Sequence, residues 1–120
     1  MIKPLNPTSK NVSPIEGEKI VSKDEVNCFK GSDLAEYLNI KGIKTVVVCG
    51  MQTHMCVEAA TRASKDLNYK TIVVHDACAT KDLKFQDKVI KAVDVHFSTL
   101  STLKSYAEVI DTETFLNKGN

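Results

Sequence analysis

No stretch of the 120 residues approaches the roughly 18 consecutive apolar positions needed to cross a bilayer. Met1-Ile2-Lys3-Pro4 leads into polar residues without the apolar core of a secretory signal, so a cytoplasmic chain is expected. Charge of one sign is also lacking. Sixteen Lys and Arg stand against 15 Asp and Glu, for a formal charge of +1. The two signs alternate along the chain, which argues against nucleic acid or an anionic membrane as partner. Four cysteines (Cys28, Cys49, Cys56, Cys78) have no disulfide-framework spacing, and free thiols are expected of an unexported chain. With three histidines they form no C-x-x-C or H-x-x-x-H pair, so neither a metal site nor another cofactor is expected. Internal repeats and low-complexity tracts are missing too.

What remains is an ordinary globular composition, 42% hydrophobic and 26% charged, at a length suited to one domain. Residues 1–17 hold all three prolines and read as an irregular lead-in. A short strand is expected at Glu18–Ser22, ending at Lys23. Ser32 or Asp33 can cap a helix carrying Leu34, Tyr37 and Leu38, and Gly42 suits its left-handed stop. Thr45–Cys49 is β-branched without polar alternation, the pattern of a strand covered on both faces. A helix is expected from about His54 to Leu67 with Asn68 as its stop, then a buried strand over Lys70–His75. A polar loop at 77–85, a helix over Gln86–Leu103, a strand at Ala107–Ile110 and a short helix capped by Asp111 or Thr112 complete the reading. Strands alternating with helices in this way call for an α/β fold of three layers, a parallel sheet with helices on both faces. In such sheets ligands bind at the C-terminal strand ends, where Lys23, Cys56 and Asp76 fall.

The segment Val46-Val47-Val48-Cys49-Gly50-Met51-Gln52-Thr53-His54-Met55-Cys56-Val57 reads as strand, tight turn and helix start. A thiol in the first turn of a helix meets unpaired N–H groups and the positive end of the dipole, which favour thiolate. The competing reading follows from periodicity. Cys56, Ala60, Ala63 and Leu67 share one helical stripe, and free cysteines are often core residues. The Gly50 turn can line an oxyanion or phosphate site with N–H groups, the oxyanion being the better match beside a cysteine. Lys23 matters only if it lies near Cys56. Asp76 is read as tying down a loop, His75 as packed, and His54 as turned away from Cys56.

These residues resemble the isochorismatase-like (cysteine hydrolase) family, in its amidase branch. The match is a series: Gly17 to Lys23, Asn27 to Leu34, Gly50 to Val57, Thr61 to Ala63, and Val73 to Thr80, spanning nearly all of residues 16–116. The resemblance implies Cys56 as the nucleophile that forms a thioester with a small-molecule amide, and Lys23 as the lysine beside it. It implies a cis peptide between Met51 and Gln52, with the backbone N–H groups of Gln52 and Cys56 forming the oxyanion hole.

The family's first strand–helix–strand, which carries its catalytic aspartate, has no counterpart here. None of Asp24, Asp33 or Asp76 falls at the aspartate's place. The chain is therefore expected to be N-terminally incomplete, and to work as a homo-oligomer or beside a chain that supplies the missing strands. The function implied is hydrolysis of C–N bonds in small amides. Two alternatives stand beside it: a catalytically incomplete member serving as a binding or assembly module, and a flavodoxin-like nucleotide binder using the Gly50 turn. The lack of further glycines counts against the latter.

Overall fold

A computed structural model describes residues 10–119. The first nine residues of the expected lead-in lie outside them. Its remainder is irregular apart from a 3-10 turn at Lys10–Val12.

Three strands form a parallel sheet in the order β1 (Thr45–Met51), β2 (Lys70–Ala79), β5 (Glu108–Ile110). β2 is central, and Thr71 to Val74 are four successive buried residues. Side chains alternate faces along a strand, so both faces of β2 are covered, as the α/β reading requires. α2 (Glu58–Asp66) and α3 (Ala92–Leu103) pack on each other, and α4 (Thr112–Asn117) packs on β2. The core joins Val48, Val57, Val73 and Leu100, with Val46, Ala60 and Val109 against them.

The helix punctuation follows local chemistry. α1 (Leu34–Ile40) starts after Asp33 and stops before Gly42, whose φ of +68° needs no Cβ to be accommodated. α2 stops before Asn68 at φ +69°, a residue type that tolerates this region. Asp111 caps α4 by accepting from the Thr114 N–H at 2.7 Å.

Four expectations are corrected. Glu18–Ser22 is not a strand: a strand needs a hydrogen-bonding neighbour, and among the described residues none lies beside it. The segment is instead tied to α1, through the Lys19–Asp33 ion pair at 2.6 Å and the Lys19 ammonium over the Tyr37 ring. β1 is not covered on both faces. Val48 is buried, but Val47 on the opposite face is 42% exposed, because nothing described packs there.

The expected loop at 77–85 is strand as far as Ala79, since Cys78 and Ala79 pair with Gly50 and Met51 after a register shift. The expected helix at Gln86 begins only at Ala92. Lys88–Ile90 is β4, which pairs antiparallel with β3 (Leu83–Phe85) around a two-residue turn in which Gln86 has φ +54°.

Candidate active site

β1 ends at Met51, its peptide bond to Gln52 is cis, and Thr53–Val57 follows as a π-helical turn leading into α2. π turns are rare and recur at functional sites. This one carries Cys56. The Gln52 carbonyl accepts from the N–H groups of Met55 (3.0 Å) and Val57 (3.2 Å), which closes the turn.

The buried stripe of this helix is Val57, Thr61 and Ser64, one position on from the expected Cys56, Ala60, Ala63 and Leu67. Three of the buried positions at this spacing, Thr53, Thr61 and Ser64, are polar and escape a hydrophobic pattern, while Leu67 is 46% exposed and Cys56 half-buried. Cys56 is therefore not a core residue. With Ala60 it borders an open groove of about 490 Å³ at the edge of β1.

Lys23 reaches this groove from the far side. Its ammonium donates to Cys56 Sγ at 3.3 Å, and to the carbonyls of Glu25 (2.9 Å) and Val26 (3.4 Å). Two carbonyls therefore aim the cation at the sulfur. The loop that follows is braced by the Phe29 N–H donating to Asn27 Oδ1 at 3.0 Å and by Phe29 stacking on Tyr69.

The other residues weighed for the site lie apart from it. Asp76 lies within β2, and its Oδ1 accepts from both the N–H and the hydroxyl of Thr112 at 2.8 Å, which ties β2 to the start of α4. Asp33 is occupied by Lys19. His75 borders a different cavity, with Phe97 and Leu100. His54 turns away from the sulfur, its Nδ1 bonded to the Thr80 hydroxyl at 2.7 Å.

Among the described residues Lys23 makes no ion pair, and no group of His, Cys, Asp and Glu is arranged to hold a metal. No helix among them is long and apolar enough to cross a membrane. All four cysteines are free.

Two features had little sequence signal. Cys28 lines the same groove as Cys56 and Lys23. Burial pushes its thiol above the ordinary range, the Lys23 charge pulls it down, and Cys56 adds a smaller upward push. Thr53, in a stretch read only as turn, is fully buried and bonded to His96 of α3 at 2.9 Å. A threonine just inside a helix start is an ordinary capping residue, so its buried partner is invisible without the fold.

Comparison with known proteins gives one answer. The isochorismatase domain model matches residues 4–114. The uncharacterized isochorismatase family protein YddQ of Bacillus subtilis is 41% identical over 107 residues, covering 88% of this chain and 59% of its own length. The ureidoacrylate amidohydrolase RutB of Azorhizobium caulinodans is 29% identical over 96 residues, 79% of this chain and 42% of RutB. The crystal structure of a cysteine hydrolase from Pseudomonas syringae superposes with a TM-score of 0.88 at 27% identity, covering 92% of this chain and 53% of that one. The chain thus spans 59%, 42% and 53% of the length of these three proteins.

Proposed function

The chain belongs to the isochorismatase family, and from that membership we propose that it carries the nucleophile of a cysteine hydrolase acting on C–N bonds in small amides. One observation carries the reading: the Lys23 ammonium donating to Cys56 Sγ at 3.3 Å, at the end of a parallel strand. A cation bonded to sulfur stabilises the thiolate, which is the nucleophilic form. A relative named as an amidohydrolase supports the choice of bond.

In this reading Cys56 Sγ attacks the amide carbonyl, and the resulting oxyanion is met by the N–H groups of Gln52 and Cys56. The C–N bond breaks and the nitrogen leaves with a proton. Water then attacks the thioester, releasing the carboxylic acid and returning the thiol.

Both proton transfers need a base and acid that Cys56 and Lys23 do not provide. That group is a carboxylate from outside the described residues, on a further segment or a second chain lying along the open edge of β1. β1 stands at the end of the sheet order, which supports an additional strand along it, and the 42% exposure of Val47 with the groove beside it supports a further covering element on that face. Assembly into a homo-oligomer is part of this proposal. A second reading, a binding or assembly module without turnover, draws on the absence, among the described residues, of any carboxylate paired with Lys23.

The test is acyl trapping with p-nitrophenyl acetate, located by peptide mass spectrometry. The enzyme reading expects a hydroxylamine-labile acetyl group on Cys56, with nitrophenolate released stoichiometrically. Acetyl scattered over surface lysines and Cys49, with none on Cys56, would leave the module reading.

A further inference from the structure

The turn that presents Cys56 has no side-chain cap of its own, and is held from outside. Thr53 opens it, fully buried, with its hydroxyl bonded to two groups at once: the Ala79 carbonyl at 3.3 Å and His96 Nδ1 at 2.9 Å. A hydroxyl has one proton, and a carbonyl can only accept. The Thr53 hydroxyl therefore donates to Ala79, and His96 donates its Nδ1–H to Thr53. This assigns the neutral ring its Nδ1–H tautomer.

We infer that His96 is a positioning residue for the reacting thiol, resting on the reading of Cys56 as nucleophile. Three elements meet in the chain His96–Thr53–Ala79: α3, the start of the π turn, and the end of β2. Ala79 is also the register partner of Met51, the last residue of β1. The clamp therefore joins the two strand ends to the turn that aims Cys56 at Lys23. Next along the chain, His54 bonds to Thr80 and holds the same turn to the residue after Ala79. Neither histidine touches the sulfur, and their work is done on the backbone that carries it.

The test compares His96→Asn, His96→Leu and Thr53→Val by iodoacetamide labelling of each cysteine and by amide exchange at Met55 and Val57. An asparagine amide nitrogen can stand near the position of Nδ1, while leucine keeps bulk without a donor. His96→Asn is expected to label Cys56 like the parent. His96→Leu and Thr53→Val are expected to lose roughly five- to tenfold in Cys56 labelling, the scale of one neutral hydrogen bond. Their Met55 and Val57 amides, which close the turn, should exchange faster, with Cys49 and Cys78 unchanged.

Parent-like labelling and exchange in His96→Leu overturns the inference. So does an asparagine variant as impaired as the leucine one, or a rise in Cys78 labelling that signals general loosening. If parental Cys56 shows no advantage over Cys49, the nucleophile reading fails. The amide exchange of the two His96 variants then decides the clamp alone.

Discussion

Lys23 and Cys56 lie 33 positions apart in the chain, yet the lysine ammonium rests 3.3 Å from the cysteine sulfur. The lysine comes from an irregular segment with no strand neighbour among the described residues, and the cysteine from a π turn at the end of β1. Their meeting depends on the Glu25 and Val26 carbonyls, which turn the ammonium inward.

Lys23→Ala should act on both thiols of the groove. The lysine charge lowers the proton affinity of Cys28, so its removal raises that thiol further and slows Cys28 labelling at neutral pH. Cys78, whose thiol is raised mainly by burial, should keep its rate in the variant. Labelling followed from pH 6 to 10 on both proteins checks this.

Ser64 has a fully buried hydroxyl with no hydrogen-bond partner among the described residues. An unsatisfied buried polar group is destabilising, and alanine removes it with little loss of volume. Ser64→Ala is expected to gain about 1 kcal/mol in urea unfolding. A loss of that size would mean the hydroxyl has a partner in solution.

Leu103 is completely buried at the end of α3. Leu103→Ala should cost about 3.5 kcal/mol, the middle of the range for a leucine cavity. The urea midpoint should fall while the slope with denaturant is kept.

Asp111 has a carboxyl held below its usual range, chiefly by the bond it accepts from Thr114. A depressed carboxyl contributes stability that is complete above its unfolded value, near pH ~4, and lost as pH falls through the folded value. The start of α4 should therefore fray on acidification. Protection of the Thr114 amide, relative to its intrinsic exchange rate at each pH, should fall below about pH 4, and Asp111→Ala should remove it throughout.

Much of this was legible locally. The stops at Gly42 and Asn68 and the cap at Asp111 each depend on one residue's own backbone preference or side-chain reach. The β-branched runs at Thr45 and Thr71 mark the two long strands of the parallel sheet. What stayed hidden depends on neighbours. Glu18–Ser22 has strand-like residues and no described partner to pair with. Lys88–Ile90 fits a helical or a strand period equally well over three residues, and pairing with Leu83–Phe85 decides it. The face of the Cys56 helix differs by one position from the apolar stripe, because its buried members include Thr61 and Ser64, polar residues that a hydrophobic pattern passes over. That shift moves Cys56 from the core to the groove.

The most direct test of the Lys23–Cys56 pair is the iodoacetamide rate of every cysteine at pH 7, in the parent and in Lys23→Ala. The account predicts that Cys56 reacts roughly tenfold faster than exposed Cys49, as a sulfur bonded to the Lys23 ammonium should, and that the variant loses this advantage. Equal rates for Cys56 and Cys49 in the parent, or an advantage that survives the loss of Lys23, would contradict it.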